Sequence, residues 1–168
     1  MPYFIDTSAL FKRYQPETGT AIVSQIFEAF DQPVFISSIT IIQIISNLRR
    51  LFEVDRVTTE GQFLQQRAFF YQDIGALDIT ILDITAEDII KADNLILKRY
   101  MKPVDSIQLA IALNFRRDNL TFVSSDRRPQ PLPAARCVPA SWLTASPSTI
   151  CLLPDLLGRR SRGQGRGC

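Results

Sequence analysis

The chain has 168 residues, 46% apolar and 21% charged, with a mean hydropathy of +0.05, which is the composition of one globular domain and not of a disordered or fibrous chain. Of its 19 basic residues, Arg159, Arg160, Arg162 and Arg166 lie in an acid-free ending, so residues 1–157 hold 15 basic against 17 acidic side chains and the body is no basic nucleic-acid clamp. Histidine is absent, Cys137, Cys151 and Cys168 match no zinc or redox spacing and read as free thiols, and no apolar run reaches the roughly 18 residues of a membrane span.

In chain order, short β-branched or aromatic runs alternate with helical periods, the pattern of a parallel sheet flanked by helices. Residues 2–5 read as a strand, and Asp6-Thr7-Ser8 opens a helix to about Tyr14. Residues 19–30 carry Ile22, Ile26, Phe27 and Phe30 at helical spacing. Residues 33–37 form a second strand, with Ser38 as N-cap of a helix to about Phe52. A helix over 59–74 precedes a strand over 77–82, and Thr85 with Asp88 forms a capping box for a helix to Tyr100. Pro103 stops that region, Asp105 starts a helix to about Arg117, residues 120–124 form an interior strand, and residues 136–139 a last one. The expected organisation is a folded domain over residues 1–145 and a poorly structured Arg/Gly-rich tail over 146–168. The acid in the opening MPYFIDTS, where a signal peptide carries basic residues, points to a cytoplasmic location.

Three aspartates occupy comparable places: Asp6 after the first strand, Asp126 after LTFVS, and Asp105 at the start of a helix. Ligands of open α/β sheets bind outside the carboxyl ends of strands, where two of the three stand. Converging carboxylates repel by about 4 kcal/mol per close pair at an effective dielectric near 20, so such a cluster implies a raised pKa or a bound cation. With no His or thiolate partner, oxygen ligands suit Mg²⁺ or Mn²⁺. Each aspartate also has a plainer reading: Asp6 as a helix cap, Asp105 in a capping box with Gln108, and Asp126 as a turn former before Arg127-Arg128-Pro129.

FIDTSALFKRYQPETG resembles the opening of PIN-domain ribonucleases of the VapC toxin type, ISSITIIQIISNLRR their second motif, and VDSIQLAIAL followed by FVSSD their third and fourth. The similarity covers about residues 3–127 in the family's order. It implies a three-layer α/β/α sandwich with a mainly parallel central sheet, RNA cleavage with Mg²⁺ or Mn²⁺, an antitoxin protein as partner, and a homodimer. Carried onto this chain, it implies Asp6, Asp105 and Asp126 as metal-site carboxylates, with Thr7, Ser8, Ser124 and Ser125 orienting ligands or waters. Glu17 matches a common acidic position and is taken as structural.

One departure stands in the second motif, where the family has Glu and this chain has Gln43. Thr40, Gln43, Asn47 and Arg50 share a helix face, and four flanking isoleucines suggest burial on both sides. A Gln amide offers a carbonyl oxygen to a hard cation but brings no charge and takes no proton from water. The expectation is metal-assisted phosphodiester hydrolysis weakened by Gln43, with Lys12, Arg13, Arg49 and Arg50 as phosphate contacts. The alternative is a non-catalytic, degenerate PIN domain that holds RNA or an antitoxin-like partner. A phosphatase or nucleotide-binding domain ranks below both, since no Gly-rich phosphate loop is present.

Overall fold

The computed structural model describes residues 2–28, 32–115 and 120–125, together with the backbone of residues 136–137 and 150–152. In chain order the elements are β1 (Tyr3–Ile5), α1 (Thr7–Tyr14), α2 (Thr20–Glu28), β2 (Val34–Ser37), α3 (Ser38–Glu53), α4 (Glu60–Ala76), β3 (Thr80–Leu82), α5 (Ala86–Lys98), α6 (Pro103–Asn114), β4 (Thr121–Val123), β5 (Arg136–Cys137) and β6 (Ile150–Leu152). The strands form one sheet in the order β3-β2-β1-β4-β6-β5. The first four are parallel, with Tyr3 opposite both Val34 and Thr121, and Phe35 opposite Thr80. β6 runs antiparallel to β4 and β5 antiparallel to β6. The chain steps from β1 out to β3 and returns to β4 on the other side of β1, which makes the carboxyl ends of β1 and β4 the topological switch point.

The period of two along each strand divides the interior. Ile5, Val34, Ile36 and Val123 face a core shared with Leu10 and Tyr14 of α1, Phe27 of α2, Ile44 and Leu48 of α3, and Phe63 and Phe70 of α4. Phe4, Phe35 and Phe122 face the other side, where Ile111 and Ala112 of α6 and Phe115 cover them. Phe4 stacks on Phe122 and Phe35 on Phe115, with ring centroids 5.6 and 5.4 Å apart. The result is the three-layer α/β/α sandwich that the motifs imply.

Several boundaries differ from the expectations, each for a local reason. Ser37, not Ser38, is the N-cap of α3; it still pairs with Leu82 in the sheet and makes no side-chain capping bond. The strand expected from residue 77 begins at Thr80, because α4 runs to Ala76 and Asp78 turns the chain with a left-handed φ of 49°, which aspartate tolerates. Pro103 does not stop a region but occupies the first turn of α6, where a missing N–H costs nothing; Lys102 is the N-cap and Asp105 is the third residue of the same turn. β6 falls in the segment expected to be a tail, and it carries the sheet beyond β4.

α5 starts at the expected capping box and is pinned to α6 by one buried carboxylate. Asp88 Oδ2 accepts from Thr85 N at 2.9 Å and Thr85 Oγ1 at 2.7 Å, while Oδ1 accepts from Asn114 Nδ2 at 2.7 Å. Lys91 Nζ donates to Asn114 Oδ1 at 2.6 Å. Burial opposes ionisation of Asp88, but the hydrogen bonds from Thr85 and Asn114 and the charge of Lys91 outweigh it and hold the carboxyl below the usual aspartate range. A depressed carboxyl contributes stability above its unfolded value near 3.8 and loses that contribution as pH falls below it. Asp88→Ala is therefore expected to cost about 2–3 kcal/mol at pH 7 in urea unfolding, with the gap to the parent closing below about pH 4. A gap that is the same at pH 7 and pH 3 contradicts this.

Candidate functional site

Asp6 is the hinge between β1 and α1. Its N–H donates to Val123 O at 2.9 Å, continuing the β1–β4 ladder by one residue, and its extended backbone then caps the helix. Asp6 is buried, 7% exposed as a residue. Oδ1 accepts a long bond from Ser8 N at 3.4 Å, and Oδ2 accepts from Ser8 Oγ at 2.9 Å and Ser124 Oγ at 2.8 Å. Capping thus uses one oxygen weakly, while two hydroxyls converge on the other. Ser8 Oγ and Ser124 Oγ approach to 3.3 Å, but each has one proton and both protons are committed to Asp6 in this geometry. Ser125 closes the seam: its N–H donates to Ser8 Oγ at 3.1 Å and its hydroxyl to Ser8 O at 2.8 Å. Ser8, Ser124 and Ser125 therefore lock the start of α1 to the exit of β4 and orient Asp6 between them.

Thr7 ties in two more helices. Its hydroxyl donates to Gln43 Oε1 of α3 at 2.5 Å and lies 3.4 Å from Thr40 Oγ1, while Gln108 Nε2 of α6 donates to Thr7 Oγ1 at 2.9 Å. Gln108 Nε2 also donates to Gln43 Oε1 at 2.9 Å. Gln43 Oε1 therefore receives two donors, and a carbonyl oxygen has two lone pairs. The carbonyl that sequence reasoning offered to a cation is already occupied, which leaves the amide N–H groups as what Gln43 can present. The expected burial on both sides of Gln43 also needs correction: Ile44 is fully buried but Ile42 is 69% exposed.

Asp105 is half-buried in the first turn of α6, the end of a helix that favours negative charge. Gln108 lies one turn further on, and residues three apart share a helix face, so the bonds of Gln108 to Thr7 and Gln43 dock the Asp105 side of α6 against α1 and α3. Sequence reasoning offered Gln108 only as a capping partner for Asp105; the N-cap is instead Lys102, and Gln108 is 1% exposed with its amide in the site. The available signal was a polar residue inside the apolar run Ile107–Leu113. Asp126 lies outside the described residues, and among the described residues no three His, Cys, Asp or Glu side chains gather closely enough to hold a metal.

Of the four expected phosphate contacts, two are spent inside the protein. Lys12 is buried, with Nζ on Thr18 O at 2.7 Å and on Glu17 at 3.1 Å. Arg13 grips Asp73 with Nε at 2.6 Å and Nη2 at 3.1 Å, its guanidinium 5.0 Å from the ring centre of Phe27. Arg49 and Arg50 pair with Glu53 and Asp55 at the surface, with side chains 48% and 60% exposed.

The donors assembled here are all oxygens, from Asp6 and its hydroxyls, with Asp105 on the docked helix. That set fits a hard cation such as Mg²⁺ or Mn²⁺ and fits no soft one. Among the described residues no helix is long and apolar enough to cross a membrane.

Known proteins share this fold. Among solved structures, a toxin–antitoxin complex from Klebsiella pneumoniae is similar at 19% identity and a TM-score of 0.56, over 78% of this chain and 92% of that one. The Mycobacterium tuberculosis toxin VapC20, described as cleaving the sarcin-ricin loop, is similar at 14% identity and a TM-score of 0.53, over 74% and 90%. Curated protein sequences give no match. The PIN domain family model matches residues 3–133, most of the chain and all the site-bearing elements; this chain belongs to the PIN domain family.

Proposed function

We propose that this chain is a divalent-metal-dependent ribonuclease of PIN type and the toxin of a toxin–antitoxin pair, with cleavage weakened by Gln43. The observation that carries the reading is the buried Asp6 carboxylate at the switch point, clamped by Ser8 and Ser124 and flanked, through Thr7, by Gln43 and the helix of Asp105. Asp6, Asp105 and Asp126 would hold Mg²⁺ or Mn²⁺. When bound, such an ion polarises a phosphodiester and makes water a better nucleophile near neutral pH. The chain's own part is to fix Asp6 through two hydroxyl donors, to carry Asp105 on a docked helix, and to offer Arg49 and Arg50 to the RNA backbone. An antitoxin partner, a homodimer and a cytoplasmic location belong to the same proposal. It is supported by the family and by folds shared with proteins described as a toxin–antitoxin complex and an RNA-cleaving toxin.

One observation favours the second reading, a PIN domain that retains RNA or an antitoxin-like partner without cutting: both lone pairs of Gln43 Oε1 are engaged. Calorimetric titration with Mn²⁺ tests the first. Asp6→Asn is expected to weaken binding at least tenfold and to remove residual RNA cleavage. Equal Mn²⁺ affinity in parent and variant sinks the metal site, and RNA retention that survives chelator, without cleavage even in Gln43→Glu, selects the second reading.

A further inference from the structure

The far edge of the sheet is built from very short strands, and its register sets two cysteines opposite one another. β5 has two residues and β6 three, and they run antiparallel, with Arg136 opposite Leu152 and Cys137 opposite Cys151. Their separation along the chain signals nothing by itself; the ladder makes them neighbours. Residues directly opposite in an antiparallel pair share one face of the sheet, with Cα atoms about 4.5–5.5 Å apart, inside the span of about 4.4–6.8 Å that a disulfide bridges. A ladder of two residues is also marginal on backbone hydrogen bonds alone, so this edge gains from a covalent link.

We infer that Cys137 and Cys151 form a reversible cross-strand disulfide, a redox modification site that staples β5 to β6. The oxidant is a small-molecule disulfide such as oxidised glutathione. One cysteine thiolate attacks it, giving a mixed disulfide and one released small thiol; the second cysteine thiolate then attacks the protein sulfur of that bond and releases the second small thiol. The protein gives up two protons and two electrons, and both leave on the two small thiols. In a reducing compartment the pair stands as two thiols, and the staple closes when the ratio of disulfide to thiol rises. The bond bears on the acidic cleft through the sheet. β6 also pairs with β4, with Cys151 opposite Phe122 and Ile150 opposite Val123, and Ser124 and Ser125, which hold Asp6 and Ser8, come directly after. The staple goes beyond the nuclease reading and does not depend on it.

The test is equilibration of the full chain with reduced and oxidised glutathione, in buffer and in denaturing urea, read by mass spectrometry of unreduced peptides. In buffer the Cys137–Cys151 bond is expected to dominate, with an equilibrium constant at least tenfold above that in urea, and the oxidised protein to melt about 3 °C or more above the reduced one. Cys168 supplies an internal comparison: it lies about as far from Cys151 along the chain as Cys137 does, so chain entropy alone favours neither partner strongly. Cys168→Ser should leave the bond unchanged. Moving one thiol by one residue, in Cys151→Ser with Leu152→Cys, puts it opposite Arg136 and on the other face of the sheet, and closure should fall to the level seen in urea. No bond, bonds only between chains, comparable pairing with Cys168, or equal closure in buffer and urea overturns the staple, as does full closure in the moved-thiol variant.

Discussion

Gln43→Glu is expected to raise the rate of RNA cleavage with Mg²⁺ or Mn²⁺ at least tenfold. As found, Gln43 puts its one acceptor atom against Thr7 and Gln108 and has only N–H groups left to present. Glutamate can satisfy the same two donors and free a charged oxygen, which in the proposed metal site would add a fourth negative charge to those of Asp6, Asp105 and Asp126. Losing an outer-shell partner of a metal site costs roughly 10- to 100-fold in affinity or activity, and a missing charged ligand should cost no less. The gain should come with tighter Mn²⁺ binding and vanish when Asp6→Asn is added, since Asp6 is the buried carboxylate at the switch point, held by two hydroxyls on one oxygen. Unchanged cleavage in Gln43→Glu, alongside loss in Asp6→Asn, would show that position 43 does not limit the reaction.

What could be read from sequence was what is settled locally or by strand-end placement. Asp6 was legible because an acid followed by Thr7-Ser8 after an apolar run marks both a helix cap and a strand terminus, and the structure uses it as both. The capping box at Thr85 depends on a partner three residues away, so α5 starts where the pattern predicts, while α4, expected from residue 59, starts one residue later with Thr59 as its cap. The side-chain partners of Arg13 and Gln108 were not legible, because the contacts that decide them cross the chain. Asp73 is 60 residues from Arg13, and Gln43 is 65 from Gln108. For each of these residues a local reading was available and attractive, a surface cation and a capping box, and tertiary packing overrode it. The antiparallel strand at Ile150–Leu152 escaped for a related reason: it exists by pairing with β4, a partner distant in the chain.

The largest loss of stability is expected from Asp73→Ala, about 3–5 kcal/mol, or a Tm lower by about 10 °C or more. Asp73 is a buried carboxylate on α4 that takes the fork of Arg13 at 2.6 and 3.1 Å and the Tyr14 hydroxyl at 3.0 Å, joining α4 to the last turn of α1, the helix that Asp6 caps at its other end. Removing it strands the guanidinium between the rings of Phe27 and Phe69, where little water can replace the carboxylate. Asp73→Asn, which keeps an acceptor, should cost less, and a similar cost for both would mean that volume and not charge is what matters. The same cluster sets the alkaline limit. Burial first, and the negative charge of Asp73 second, push the Tyr14 phenol well above its ordinary value near 10. A group whose folded pKa is raised contributes its full stability below the unfolded pKa, and the contribution declines as pH rises past that point, here by about 1.4 kcal/mol per pH unit above about pH 10. Urea unfolding from pH 8 to 11 should show that decline in the parent and a shallower one in Tyr14→Phe, which has no phenol to ionise on unfolding. Parallel slopes in the two proteins would remove Tyr14 from the account and leave the Arg13–Asp73 pair to explain the cluster alone.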